Sequence, residues 1–221
     1  MVNKDAYISL RDELQPHGVT LVAVSKTRPA EEIMELYNLG HRDFGENYVQ
    51  ELCAKAAELP PDIRWHYIGH LQTNKVKLIV PFVQLIHGID SLKLLKEIDK
   101  QAARTGRAVD CLLQVFIAQE ETKFGLDENE LDELWKALEA TPPAHVRVRG
   151  LMGMASFTDD LGTVRSEFRH LRAIFQKYSF SGAEPGILSM GMSNDYRVAV
   201  EEGSTLVRVG SLLFGAREKK G

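Results

Sequence analysis

Short apolar runs recur along the chain, and each is followed by a segment in which apolar residues repeat with helical spacing. Several runs are nearly continuous in Val, Ile and Leu, which is typical of strands that are covered on both faces. This alternation predicts parallel β-α-β units. The predicted strands are Thr20–Val24, Arg42–Gly45, Arg64–Ile68, Gln84–Gly88, Asp110–Ile117, Val146–Met152, Ile187–Met190 and Leu206–Val209.

The number of these units favours one fold class over another. Parallel β-α units can build either a doubly wound open sheet or a closed barrel, and a (β/α)8 (TIM) barrel uses eight strands. The 221 residues also fall within the usual length of such a barrel. We therefore expect residues 1–221 to form a single (β/α)8 barrel domain of the α/β class. An extra N-terminal amphipathic helix should precede the first strand and bury Ile8, Leu10 and Leu14.

Two of the intervening helices have clear boundary signals. Pro29 precedes the acidic first turn of a helix that Gly40 should end. A second helix should run from Asp127 to Ala140 and stop before two consecutive prolines. Its predicted apolar face consists of Leu131, Leu134, Trp135 and Leu138.

Composition narrows the class of partner. There are 27 Lys and Arg against 31 Asp and Glu, a formal net charge of −4, so we expect neither nucleic acid nor a membrane surface as partner. No apolar stretch approaches 18 residues, and the first residues lack the apolar core of an export signal, so a cytoplasmic protein is expected. The two cysteines, Cys53 and Cys111, are predicted to be buried free thiols.

Lys26 is the first candidate for chemistry. It directly follows the buried run of the first strand, and the residues that follow barrel strands line the functional end of the fold. Partial burial disfavours an ammonium ion, and a neutral amine can attack an aldehyde to form a Schiff base. Taken alone, Lys26 could equally be a solvated or snorkelling lysine.

The turns after the seventh and eighth strands are candidates for a phosphate site. Gly210 and Ser211 open a short helical segment, and Ser193 lies in a polar turn after strand seven, so exposed amides and hydroxyls should converge there. Two alternatives remain open. Ser193 could be a helix N-cap, and Arg208, inside the last strand, could be an ion-paired residue of the barrel interior.

These positions fall within sequence blocks that resemble the pyridoxal phosphate homeostasis proteins. The resemblance runs from Leu21 to Gly215 and keeps the blocks in order at the predicted strand ends. The blocks are Ala23–Lys26, Phe44–Glu51, Trp65–Lys75, Gly150–Met152, Leu188–Ser193 with Asp195, and Gly203–Gly210.

The resemblance implies a single barrel similar to the N-terminal domain of alanine racemase, with pyridoxal 5′-phosphate (PLP) as cofactor. It makes Lys26 the Schiff-base lysine, places Arg208 at the pyridine nitrogen and lets Asn47 line the ring. The implied phosphate ligands are Ser193 and the backbone of Met192, Gly210 and Ser211. Ser211 departs from the pattern, since fold relatives often have threonine or an aliphatic residue there, but a backbone amide can act with any side chain.

The function implied is vitamin B6 homeostasis: PLP is held and delivered, with PLP-dependent apo-enzymes as partners, by a protein expected to be a monomer without an established reaction. Arginine at the ring nitrogen makes the cofactor a poor electron sink. A weak amino-acid racemase is the alternative, although alanine racemase takes its second base from a further domain. A third hypothesis is a phosphate-ligand barrel without a Schiff base. His66 and His70 lack the context of a zinc site, so no metal is expected.

Overall fold

The strands of the computed structural model close into one parallel barrel. The structure describes residues 2–118, 124–180 and 186–215. Within these ranges, each strand pairs in parallel with the next along the chain, and the last pairs with the first. The strands are β1 (Thr20–Val24), β2 (Asp43–Glu46), β3 (Arg64–Tyr67), β4 (Leu85–Ile89), β5 (Val109–Gln114), β6 (Val146–Met152), β7 (Ile187–Ser189) and β8 (Leu206–Val209).

Helices connect the strands on the outside of the barrel, and one further helix precedes β1. Asn3 caps this first helix by accepting from the Ala6 amide, and Asp127 and Glu130 form a capping box further along the chain. The helices are α1 (Lys4–Leu14), α2 (Ala30–Asn38), α3 (Val49–Glu58), α4 (Val76–Ile79), α5 (Leu92–Thr105), α6 (Glu128–Ala140), α7 (Leu161–Phe175), α8 (Tyr196–Glu201) and α9 (Ser211–Phe214).

The predicted (β/α)8 barrel and its N-terminal helix are confirmed, with small shifts at the strand ends. β2 begins one residue later than predicted. β5 ends at Gln114 rather than Ile117, and the next residue, Val115, forms an isolated parallel bridge with Leu126. None of the helices among the described residues is long and apolar enough to cross a bilayer.

Three burial predictions were wrong. On α1 the buried positions are Tyr7, Leu10 and Leu14, whereas Ile8 is 40% exposed. Tyr7, rather than its neighbour Ile8, therefore lies on the buried face of the helix. Trp135 is only partly buried and packs near the surface against Tyr178. Cys111 is buried as predicted, but Cys53 is of intermediate exposure.

The core has two parts, inside and outside the strands. The larger part lies between the barrel wall and the helices, where Phe44, Leu52 and Phe168 are fully buried. A smaller apolar cluster consists of Val22, Leu85, Leu112, Met152 and Leu206. Several polar side chains are also buried on strands, including His66, His87, Ser189 and Arg208. Buried polar groups need partners, and theirs are described below.

Gly150 marks an irregularity in β6. The register between β5 and β6 shifts at this point, so that Leu112 pairs with Gly150 after Cys111 has paired with Val148. Gly150 has a φ of 156°, and a Cβ there would lie 1.8 Å from the carbonyl oxygen of Ile187 on β7. The close contact between the two strands therefore needs glycine.

We expect Gly150→Ala to lower the free energy of unfolding by about 3 kcal/mol, since the added methyl group must push two barrel strands apart. Urea unfolding followed by circular dichroism measures this change. Gly106→Ala is the control, because Gly106 also has a positive φ of 65° but open space around its Cβ position. It should cost only about 1 kcal/mol. Equal losses in both variants would contradict the packing argument.

Candidate functional site

One cavity of about 450 Å³ lies at the end of the barrel where the strands run out. Its volume is in the range of small-molecule sites. The seven residues predicted from the sequence all line it: Lys26, Asn47, Met192, Ser193, Arg208, Gly210 and Ser211. They follow or end strands β1, β2, β7 and β8, so strands far apart in sequence bring them together.

Lys26 lies in a tight turn after β1 and is partly buried. The next residue, Thr27, has a φ of 64°, and it is the one non-glycine residue in the described ranges with a positive φ. Such a conformation is strained for a β-branched side chain and persists only where the surroundings enforce it. Here the Thr27 amide donates to Glu51 Oε1 at 2.6 Å. The chain therefore holds the residue after Lys26 in a fixed position.

A buried ion pair fixes the other side of the same turn. Lys55 Nζ lies 2.7 Å from Glu46 Oε1 and 2.7 Å from Glu51 Oε1, and it also donates to the Ser25 carbonyl at 2.8 Å. Ser25 Oγ donates to the same Glu46 oxygen at 2.6 Å. Burial raises the pKa of Glu46, although the amine of Lys55 opposes this effect. The network joins the residues on both sides of Lys26 to α3.

Arg208 is buried and anchored by neutral oxygens. Its Nη1 donates to the Ser189 carbonyl at 2.9 Å and to Ser189 Oγ at 2.5 Å, and Nη2 donates to the Gly153 carbonyl at 3.1 Å. No carboxylate among the described residues forms an ion pair with it, so the alternative of an ion-paired interior residue was wrong. Burial lowers the pKa of Arg208 to about 10, which leaves it charged at neutral pH. Two of its five N–H groups have no acceptor in the described ranges.

The turns after β7 and β8 meet at Ser193 and Gly210. Ser193 Oγ accepts from the Gly210 amide at 3.3 Å, and Ser211 then begins α9, where the first amides have no partner within the helix. A Cβ on Gly210 would lie 3.3 Å from the carbonyl oxygen of Val24, so glycine allows this turn to pack on β1. The alternative of Ser193 as N-cap was wrong, because Asp195 holds that position before α8.

Met192 has a partner that the sequence did not suggest. Its amide donates to Asp195 Oδ1 at 2.5 Å, and the Asp195 and Tyr196 amides in turn donate to the Met192 carbonyl. The amide that the resemblance assigns to the phosphate therefore already donates to a carboxylate oxygen. An anionic ligand can use this amide only if it replaces Asp195.

Asn47 contributes an unsatisfied polar group to the cavity wall. Its side-chain oxygen is buried and has no hydrogen-bond partner among the described residues. Its backbone is fixed, because Tyr67 Oη donates to its carbonyl at 3.0 Å and Gly69 packs against the same carbonyl. A Cβ on Gly69 would lie 2.2 Å from that oxygen. A buried polar atom without a partner in a fixed segment is a candidate ligand contact.

Sequence reasoning missed part of the cavity wall. Met154, Ala155, Ser156 and Phe157 line it from the loop between β6 and α7, and Arg28 and Asp195 line it as well. The loop directly follows the correctly predicted sixth strand, so the same rule that found Lys26 could have found it. His66 and His70 point to different partners, Asp43 and Asp90, so they do not converge on one metal ion.

The fold and site define a class of protein: a (β/α)8 barrel whose mouth combines one lysine, a buried arginine and the converging turns of the last two strands. The model of the family "Alanine racemase, N-terminal domain" matches residues 6–218. The pyridoxal phosphate homeostasis protein of Aquifex aeolicus is 43% identical over 201 residues, which cover 90% of this chain and 87% of that protein. The chain belongs to this family of pyridoxal phosphate homeostasis proteins, within the larger alanine racemase N-terminal domain family.

Solved structures agree with this assignment. PipY of Synechococcus elongatus with PLP bound has a TM-score of 0.84 at 37% identity, over 96% of this chain and 99% of that one. Alanine racemase of Bartonella henselae with covalently bound pyridoxal phosphate has a TM-score of 0.74 at 15% identity, over 94% of this chain and 56% of that one. The racemase similarity shows the shared barrel fold alone.

Proposed function

We propose that this protein binds PLP in intracellular vitamin B6 homeostasis and holds it as a Schiff base on Lys26. The observation that carries the proposal is that Lys26, the open donors of Arg208 and the Ser193–Gly210 turn all line one cavity. The names of the relatives and the PLP bound to PipY support the choice of ligand.

The residues present fit the cofactor. The two N–H groups of Arg208 that lack an acceptor suit a pyridine nitrogen, which can only accept. The unpartnered oxygen of Asn47 suits a polar substituent of the ring. The amide of Ser211 and the hydroxyl of Ser193 suit the phosphate, and the Gly210 amide does so if the phosphate replaces Ser193 Oγ as its acceptor. Each polar part of PLP therefore has a candidate partner on the cavity wall.

The covalent step requires a neutral amine at Lys26. Its Nζ attacks the aldehyde carbon, a C=N bond forms, and the aldehyde oxygen leaves as water. Addition of water reverses the step and returns the aldehyde, so the same residue can bind and release the cofactor. The network around Ser25 and Thr27 limits where Lys26 can place its amine.

Arg208 favours storage over reaction. A guanidinium that donates to the ring nitrogen keeps this nitrogen unprotonated, and an unprotonated ring stabilises a carbanion poorly. The role we propose is a cytoplasmic buffer that sequesters a reactive aldehyde and supplies it to PLP-dependent apo-enzymes. A racemase would in addition need a base on each face of the cofactor.

Borohydride reduction tests the proposal. The protein is mixed with PLP, reduced and weighed by intact mass spectrometry, and the modified peptide is then mapped. We expect one covalent adduct, located on Lys26. PLP binding without any adduct would favour a barrel that binds phosphate esters without a Schiff base. Sustained deuterium exchange at Cα of alanine in heavy water would instead favour the racemase.

Asp195→Asn should strengthen binding of the phosphate. Asparagine keeps an acceptor for the Met192 amide but removes the negative charge that competes with phosphate. Repulsion between this charge and a phosphate bound next to it costs on the order of 1 kcal/mol of binding free energy, or about fivefold in affinity. Calorimetry with pyridoxine 5′-phosphate, which has an alcohol in place of the aldehyde, measures this effect without the covalent step. Asp12→Asn on α1 is the control and should change nothing. Weaker binding in Asp195→Asn would show that the charge supports the turn.

A further inference from the structure

A chain of hydrogen bonds crosses the barrel interior and ends on Arg208. Asp43 Oδ1 lies 3.0 Å from His66 Nε2, and His66 Nδ1 lies 3.0 Å from His87 Nε2. His87 Nδ1 lies 3.1 Å from Ser189 Oγ, which accepts from Arg208 Nη1 at 2.5 Å. The middle members are buried: His66 is 4% exposed, and His87 and Ser189 are 0% exposed. The chain joins β2, β3, β4, β7 and β8.

The two ends of the chain determine its direction. A guanidinium can only donate hydrogen bonds, and a carboxylate can only accept them. Ser189 Oγ therefore accepts from Arg208 and gives its own hydrogen to His87 Nδ1. His87 then donates from Nε2 to His66 Nδ1, and His66 donates from Nε2 to Asp43. Both rings are neutral in this arrangement, and every member has a partner.

The charges at the ends agree with this direction. Burial opposes ionisation of Asp43, but hydrogen bonds from Arg64 and His66 hold the pKa of its carboxyl below the usual range. Arg64 Nε donates to Asp43 Oδ1 at 2.8 Å and fixes the carboxylate at that end. Complete burial lowers the pKa of His87 well below its ordinary value, so its ring is neutral.

The opposite direction leaves a group unsatisfied. It would need a doubly protonated His66 that donates to His87 Nε2, and His87 would then donate from Nδ1 to Ser189 Oγ. The hydroxyl hydrogen of Ser189 would have no acceptor among the residues that the structure describes. A buried hydroxyl hydrogen without an acceptor carries a desolvation cost.

We propose that Ser189, His87 and His66 are positioning residues that orient Arg208 toward a ring nitrogen in the cavity. The chain and the two carbonyl contacts hold one edge of the guanidinium, so its remaining N–H groups stay directed at the ligand. The identity of the acceptor rests on the proposed function. The direction of the chain does not, since it follows from the contacts within the protein.

The first test determines the direction of the hydrogen-bond chain in protein without cofactor. Nitrogen-15 NMR of histidine-labelled protein distinguishes the two neutral ring forms from the charged ring, and His66→Gln and His87→Gln variants assign the signals. We expect hydrogen on Nε2 and none on Nδ1 in both rings. Hydrogen on Nδ1 of either ring would overturn the proposed direction.

The second test measures how the hydrogen-bond chain affects the affinity for the ligand. The affinities of pyridoxine 5′-phosphate and of its analogue with CH in place of the ring nitrogen are compared by calorimetry. The intact protein should prefer the nitrogen ring by about tenfold, as expected for a hydrogen bond to a charged group. Ser189→Ala should lose most of this preference while its affinity for the CH analogue stays the same. An unchanged preference in Ser189→Ala would refute positioning by the chain.

Ser204→Ala is the matched control. Ser204 is also a buried serine near β7 and β8, but its hydroxyl bonds to backbone carbonyls and lies outside the chain. It should keep both the ring forms and the preference for the nitrogen ring. If the intact protein bound neither ligand, the proposed function would fail, whereas the NMR result would still decide the direction of the chain.

Discussion

Lys26→Ala is expected to abolish covalent attachment of PLP. The variant lacks the amine that attacks the aldehyde, whereas the remaining cavity residues are unchanged. After incubation with PLP and borohydride reduction, its intact mass should equal that of the untreated protein. The phosphate and ring contacts remain, so we expect the variant to bind PLP reversibly and more weakly.

Lys75→Ala is the control for this experiment. Lys75 is also a partly buried lysine in a segment that follows a barrel strand, but it does not line the cavity. Its variant should keep the full adduct on Lys26. An adduct of undiminished yield in Lys26→Ala would mean that another lysine holds the cofactor, and peptide mapping would identify it.

Lys55→Met should cause the largest loss of stability, about 3–5 kcal/mol in the free energy of unfolding. Methionine fills a similar volume but leaves the Glu46 carboxylate, which is 0% exposed, without its cation. Removal of one partner of a buried ion pair has a cost of this size, because the other charge stays buried. Urea unfolding at neutral pH measures it.

Two further variants separate the buried charge from other effects of the substitution. Glu46→Gln in the Lys55→Met background removes the uncompensated charge and should recover much of the lost stability. Lys4→Met removes the surface pair with Glu35, where Lys4 is 54% exposed, and should cost less than about 1 kcal/mol. A loss in Lys55→Met as small as that of Lys4→Met would contradict the role assigned to this pair.

The Lys55 network also connects stability to the site. Ser25 and Thr27 flank Lys26 and both are bonded to this network, so its loss frees the turn that carries the lysine. The strained conformation of Thr27 is stable only while Glu51 and its neighbours hold it. The same contacts therefore contribute to the fold and to the placement of the amine.

Local patterns predicted the strands well because most strands of this barrel are largely buried and rich in apolar residues, although β2 and β3 also carry the charged residues Asp43, Glu46 and Arg64. Burial of side chains near the surface was predicted less well. Ile8, Trp135 and Cys53 are apolar, yet neighbouring helices leave them partly exposed. Burial of a hydrophobic side chain is favourable, but whether it occurs depends on whether neighbouring helices and loops cover that face of its helix.

The partners of the polar residues could not be read from the sequence. The sequence gives no spacing rule that joins His87 to Ser189, which lies 102 residues away, or Lys55 to the carbonyl of Ser25. The occupation of the Met192 amide by Asp195 is local, but it depends on the conformation of the turn. Such contacts form only when several strands and loops meet.

By itself, the sequence determined the number and order of the strands, the closed barrel and, because strand ends in a parallel barrel converge at one face, the location of Lys26, Ser193 and Gly210 at its mouth. Asn47 and Met192 came from the family resemblance. Tertiary structure alone decided which groups satisfy Arg208, what holds Lys26 in its turn, and how hydrogen bonds run through the barrel. The physical reason is that apolar burial depends on each segment's own composition, whereas a buried polar group depends on the few atoms that folding brings within about 3 Å of it.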